Sequence, residues 1–238
     1  MMFSKFFAES PVWKAAAVIV LLAASCLSVH VGAAWAATWQ AFANPYPEAS
    51  GSESDPIVIS TPRQLAHLAL QVSEGDSFEG RFIELRNDIS ISGRLWTPIG
   101  NRTEDGVPFN GRFDGKGHTI KGLTVRGSGE SYHGLFGALG SNAVVCDLNL
   151  TGINVTADGK SLGVAGLAGY NAGRVENITS SGTVKGSQSV GGLVGRNFGS
   201  VLNIRSTVRV IGSGMYVGGL VGYNDFKKGL LSGMEMNR

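Results

Sequence analysis

Val190-Gly191-Gly192-Leu193-Val194-Gly195-Arg196-Asn197 decides the fold, because the chain writes it three times. Upstream it reads Val164-Ala165-Gly166-Leu167-Ala168-Gly169-Tyr170-Asn171, and downstream Val217-Gly218-Gly219-Leu220-Val221-Gly222-Tyr223-Asn224. From Gly166 to Gly192 is 26 residues, and from Gly192 to Gly219 is 27. The correspondence runs past the octet: Val175 matches Val201, Asn177 matches Asn203, Ile178 matches Ile204 and Val184 matches Val210. Self-similarity at such a period is the mark of stacked structural units.

The β-branched residues, the short alternating runs such as Val208-x-Val210, and the Gly and Asn punctuation favour strands over helices. One 26-residue period holds three short strands and three turns. Coils stacked about 4.8 Å apart place each residue over its counterpart one period away. Leu167, Leu193 and Leu220 then form an internal ladder, with Val175 over Val201 and Ile178 over Ile204. Asn171, Asn197 and Asn224 are expected to stack at a turn, their amides bonding along the column. The glycines are expected to serve turns of positive φ and close contact between coils. A single coil cannot bury its own inner face, but several can. The predicted fold is all-β: a parallel β-solenoid, or β-helix, of roughly 26-residue coils.

Outward from the repeats the pattern loosens. Gly134-Leu135-Phe136-Gly137 is a divergent copy, and Phe109–His118 leads into Ile120, Leu123 and Val125. One helix is predicted. Thr61-Pro62-Arg63-Gln64 sets a cap residue, a first-turn proline and a capping-box glutamine in register. Leu65, Leu68, Ala69 and Val72 follow on a single face, and Gly75 is the expected stop. With strands at Ile57–Ile59 and Phe82–Leu85, this short helix is expected to cap the N-terminal end, where an open coil would expose strand edges. The expected organisation is a signal peptide at 1–36, a linker at 37–56 and the cap with the first coils at 57–130. The repeat solenoid spans 131–226, and a divergent tail 227–238 follows.

Residues 1–36 read as an export address. Lys5 and Lys14 precede the apolar run Ala15–Leu27, and small residues end at Ala34-Trp35-Ala36 before Ala37. That order describes a secretory signal peptide cleaved after Ala36. Retention as a membrane anchor is the alternative, although Ser28, His30 and Gly32 dilute the span. A lipid-attachment reading of Cys26 is weaker, since Ala23 stands where such motifs favour Leu. Without the signal Cys146 is the one thiol left, so no internal disulfide is expected. Its setting, Val144-Val145-Cys146-Asp147-Leu148, predicts a buried core thiol.

Of 35 glycines in 238 residues, seven precede residue 111. No Gly-X-Y triplet runs through them, which excludes collagen. Hydrophobic residues make up 43% and charged residues only 16%, which excludes wholesale disorder. A net charge of +2 gives no field for nucleic acid, and the membrane enters only through an uncleaved signal.

The Gly-Leu-x-Gly core followed by Asn, at Gly166–Asn171, Gly192–Asn197 and Gly219–Asn224, resembles the GLUG repeat of bacterial surface proteins. Ile59–Leu65, Asn87-Asp88-Ile89, Trp96–Gly100 and Phe113–Ile120 are similar to the region that commonly precedes those repeats. The resemblance implies an exported protein: a hemagglutinin-like adhesin, another surface protein, or the non-catalytic part of a metallopeptidase that cleaves immunoglobulin A. It supplies no catalytic residues. After Asn224 the pattern breaks into Asp225–Leu231, which reads as a truncated piece of a larger adhesin more readily than as a cap.

Motifs for chemistry are scarce. His-Glu-x-x-His is absent, and no pair among the four histidines has ligand spacing. Asp105, Asp114 and Lys116 are the candidates for a polysaccharide-active β-helix enzyme. The competing reading, two Asp-Gly turns, is the stronger. No catalytic residue, cofactor or metal ligand is assigned. Trp39, Trp96, Tyr132, Tyr170 and Tyr223 could offer faces for sugar stacking. Tyr170, Arg196 and Tyr223 occupy equivalent repeat positions and form the candidate binding stripe. The expected role is a secreted or surface-displayed binding module, adhesive to a host or bacterial cell-surface glycan or protein, through many weak contacts in series.

Overall fold

The computed structural model describes residues 38–225 and 227–236. The expected signal peptide, with Ala34, Ala36 and Ala37, lies outside the described residues. The rest winds into a β-solenoid of about 6 turns with one helix near the N-terminus. Every pairing between named strands is parallel.

The N-terminal coils use β1 (Ile57–Ile59), β2 (Phe82–Leu85), β3 (Ile89–Ser90), β4 (Arg112–Asp114), β5 (Thr119–Lys121) and β6 (Thr124–Gly127). Four coils of common plan follow. The first is β7 (Tyr132–His133), β8 (Phe136–Leu139) and β9 (Val144–Ala157). The second is β10 (Gly163–Val164), β11 (Ala168–Asn171) and β12 (Arg174–Gly186). The third is β13 (Val190–Gly191), β14 (Val194–Asn197) and β15 (Ser200–Gly212). The last is β16 (Val217–Gly218), β17 (Val221–Asn224) and β18 (Leu230–Met236). Equivalent strands stack into three sheets, and β4, β5 and β6 lie beside successive parts of β9.

Register follows the repeat. Val175 pairs with Val145 on one side and Val201 on the other, and Ile178 with Leu148 and Ile204. Leu167 and Leu193 are fully buried and Leu220 nearly so. The inward residues Val175 and Ile178 are three apart because one residue between them breaks the pleat. That residue, Asn177, has φ 56°, as Asn203 has 51° and Asp147 has 52°. Asn and Asp enter this left-handed region more cheaply than other side chains. Gly233, at φ 63°, takes the same place in β18.

The glycines of the octet serve one of their two expected purposes, close contact between coils, and not the other: none of them has positive φ. They are small because backbone comes close. A Cβ on Gly166 would stand 2.8 Å from the Gly192 carbonyl oxygen. One on Gly195 would stand 2.6 Å from the Gly169 carbonyl oxygen and 2.8 Å from the Val164 nitrogen. Towards the N-terminal side the core is filled by Phe78, Phe109, Phe113 and Phe136, all buried. Phe109 and Phe136 lie 5.4 Å apart between centroids, and Phe113 and Phe136 5.7 Å.

Helix α1 (Pro62–Ser73) starts as its sequence predicts. The Thr61 hydroxyl accepts from the Gln64 amide, and the Gln64 side chain accepts from the Thr61 amide at 3.1 Å. Leu65, Ala66, Leu68, Ala69 and Val72 are buried. One expectation needs correction. Residues 38–56 are not a free linker: Trp39 donates to the Ile91 carbonyl at 2.6 Å, and Tyr46 packs on His67 of α1. The divergent tail pairs within the stack. Leu230 and Leu231 pair with Ser200 and Val201, so β18 continues the long-strand sheet despite its altered sequence.

Candidate functional site

Two outward faces carry side chains of functional type. On the first, Asp114 pairs with Cys146, and Cys146 with Glu176, across β4, β9 and β12. Cys146 is buried, but not as a core thiol. Val145 beside it points inward, so Cys146 sits on the outer register beneath charged neighbours. Arg112 Nη2 lies 3.2 Å from its sulfur and 3.8 Å from Asp114. Burial pushes the thiol up to about 12, with Asp114 adding to the effect and Arg112 opposing it.

Lys116 reaches Glu84 at 2.7 Å and Asp114 at 3.5 Å, and both carboxylates hold its pKa up. Asp114 Oδ1 also accepts from the Lys116 amide at 2.8 Å, which is the turn predicted for Asp-Gly. Asp105 belongs elsewhere: it lines a 320 Å³ hollow with Thr97, Asn101 and Val107. The structure therefore joins Asp114 and Lys116 but leaves Asp105 on another loop. Asp114, Cys146 and Asp147 bring possible metal-ligand atoms within 4.8 Å of one another. Arg112 and Lys116 already supply the positive charge there, and Asn177 donates to Asp147 at 2.8 Å. A thiol held protonated beside two cations is a poor ligand for a further cation.

The second face carries the stripe. Tyr170 pairs with Arg196 and Arg196 with Tyr223, so the three side chains lie in one column across β11, β14 and β17. They are not alone. Tyr170 is only 7% exposed because Tyr132 meets it edge-on at 5.4 Å and Phe198 stacks on it at 5.2 Å. Phe198 continues to Tyr223 at 5.7 Å, and Tyr223 meets Tyr216 at 5.2 Å. Burial raises the Tyr170 phenol above its ordinary pKa, against the pull of Arg102 and Arg196. Arg196 lies 5.3 Å from the Tyr223 centroid and 5.7 Å from that of Phe198. Its Nε is buried without a hydrogen-bond partner. Arg102 lies over Tyr170 at 4.3 Å. Five rings and two guanidinium groups thus form a continuous strip.

Phe198, Tyr216 and Arg102 escaped the sequence reading. Phe198 stands where the preceding coil has Ala172, so a search for repeated side chains passes over it. Arg102 lies outside the repeats. The tryptophans are not part of this face. Trp96 is 3% exposed and donates to the Leu135 carbonyl, while Trp39 faces Arg94. Below the strip, Asn171 donates to Asn197 at 2.8 Å and Asn197 to Asn224 at 2.7 Å, forming the amide column. In a hollow of about 690 Å³ beside Tyr46, Asp55, His67 and Arg81, Arg81 pairs with Asp76, and Asp55 accepts from the Ser50 amide at 2.7 Å.

Comparison with known proteins agrees with the architecture. Residues 160–185 and 186–211 each match the GLUG motif, so the chain carries two such repeats. It is 32% identical over 160 residues to a protein of Evansella cellulosilytica provisionally named a Gly-rich membrane protein. That alignment covers 67% of the chain and 18% of the relative. Halomucin of Haloquadratum walsbyi is 39% identical over 93 residues, which is 39% of the chain and 1% of halomucin. The chain thus spans a small fraction of the curated relatives it matches. Among solved structures, a Bacteroides ovatus protein provisionally named an immunoglobulin A1 protease shares the fold. The TM-score is 0.53 at 20% identity, covering 76% of this chain and 65% of that one. Among the described residues, no helix is long and apolar enough to cross a membrane.

Proposed function

We propose that this chain is an exported, cell-surface β-solenoid module that binds rather than catalyses, and that its ligand is a glycan or protein on a host or bacterial cell surface. The observation that carries the reading is the strip from Tyr132 to Tyr216, crossed by Arg102 and Arg196. Aromatic faces and guanidinium groups suit adhesive recognition: they bury area at low entropic cost and donate in fixed directions. Repetition at the coil spacing lets weak contacts add along an extended ligand. The surface placement draws on the export signal read at 1–36 and on relatives named as a Gly-rich membrane protein and a halomucin.

The competing reading, a polysaccharide-active enzyme, needs Asp105 beside Asp114 and Lys116, and Asp105 is on a separate loop. Membership in a larger immunoglobulin A metallopeptidase would make the same module an accessory segment. The test is to incubate the purified chain with cell surfaces and a glycan panel, and to assay the same polysaccharides for new reducing ends. Saturable binding without cleavage is the expected result. Cleavage, or no binding to any surface, contradicts it.

A further inference from the structure

Arg102 lines a hollow of its own. At the N-terminal end of the strip, a hollow of about 260 Å³ is lined by Arg102, Pro108, Asn110, Leu139, Ser141 and Tyr170, among others. No carboxylate lines it. Tyr170 fixes the guanidinium by holding it over the ring at 4.3 Å, and among the described residues Arg102 makes no ion pair. Asn110 and Ser141 offer side-chain donors and acceptors on the wall, and Leu139 and Pro108 give an apolar patch. The Asn110 side chain packs against Gly140, where any Cβ would collide with its oxygen, and this fixes the wall. A volume of 260 Å³ is just under the roughly 300 Å³ low end of small-molecule sites, so it has room for one ring.

We propose that this hollow seats one acidic sugar unit of a polysaccharide, its carboxylate or sulfate held in the fork of Arg102. The inference rests on the reading of the chain as a binding module and names the ligand class. A planar guanidinium takes an oxyanion through two parallel N–H···O bonds, which a point charge cannot reproduce. The apolar patch meets the C–H face of the ring, and Asn110 and Ser141 meet its hydroxyls. From there the neighbouring units of the polymer run along Phe198 and Tyr223 towards Arg196, whose guanidinium offers a second anchor. The hollow gives a charged anchor, and the strip gives extension.

Calorimetry on the purified chain tests this with four probes: a galacturonate tetrasaccharide, a sulfated chondroitin tetrasaccharide, a neutral galactose tetrasaccharide and inorganic phosphate. At least one acidic tetrasaccharide is expected to bind ten times or more tighter than the neutral one and than phosphate. The two acidic arms say which oxyanion is preferred. Arg102→Gln should weaken that binding at least tenfold, Arg102→Lys should recover only part, and Arg209→Gln, at an exposed site away from the strip, should leave it unchanged. Equal binding of neutral sugar, equal binding of phosphate, or full affinity in Arg102→Gln overturns the proposal. Cell-surface binding of Arg102→Gln is measured in parallel. If no acidic sugar binds but cells still do, the hollow is the wrong site and the binding module stands. If neither binds, both readings fail.

Discussion

At the scale of single residues, the repeat is enforced by groups with no room or no water. Asn197 is fully buried and bonded on both sides: Asn171 donates to it, and it donates to Asn224. Asn197→Ala takes one bond from buried Asn171 and one from half-buried Asn224, and a buried group left short of a partner costs about 1–3 kcal/mol. Denaturant titration should show the loss, while Asn203→Gly at the exposed left-handed position should cost far less. Gly195→Ala forces a methyl against the Gly169 carbonyl and the Val164 nitrogen. Overpacking of this kind costs about 1–3 kcal/mol, readable as a fall in melting temperature. His133 gives a pH signature. Burial lowers its pKa, against the opposing charge of Asp158, and its Nε2 lies 3.0 Å from Ser131 and 3.1 Å from Ser161. The unfolded imidazole then takes up a proton that the folded one resists. Stability is therefore full above the ordinary imidazole pKa of about 6.5 and falls as pH drops below it. Melting temperatures between pH 7.5 and 5.5 should decline in the wild type and decline less in His133→Gln.

At the scale of elements, the helix start is open to sequence reading and the bends are not. The cap of α1 is written locally, in Thr61, Pro62 and Gln64, and both capping bonds form. Thr61→Ala should destabilise the protein by about 1 kcal/mol, measured by thermal unfolding. Strands β1 and β2 were equally plain, because short apolar runs between turn residues settle their ends. The corners of the long strands depend instead on left-handed Asp147, Asn177 and Asn203. Their role shows only when inward neighbours are known to be three apart. The pairing of the tail is hidden for a related reason: β18 keeps register with β15, but from Val201 to Leu231 is 30 residues, and that spacing hides the match. Yet the same interval separates Val145 from Val175. The candidate stripe was half legible, since Tyr170, Arg196 and Tyr223 repeat, whereas Phe198 and Arg102 do not.

At the scale of the whole molecule, the two ends of the stack differ. Near the N-terminal end, α1 buries one face in the core, and Trp39 and Tyr46 pack against that core. At the other, the three sheets end in β16, β17 and β18, and Ile211, Met215, Tyr216, Val217, Leu230, Leu231 and Met236 are exposed there. A coil with one neighbour has half the interface of an inner coil. Amide hydrogen exchange should therefore be fastest in β18 and slowest in β12, which has long partners on both sides. The architecture could be read from the sequence because stacking copies one local solution along the chain. The proposed binding surface could be read only in part, because it joins residues from different coils and a loop outside them. The most direct check on that use is the affinity of the purified chain for intact cell surfaces, beside a Tyr216→Ser/Tyr223→Ser variant confirmed to be folded. Saturable binding that weakens at least tenfold in the variant is the predicted result. Unchanged binding, or none by the wild type, would contradict the account.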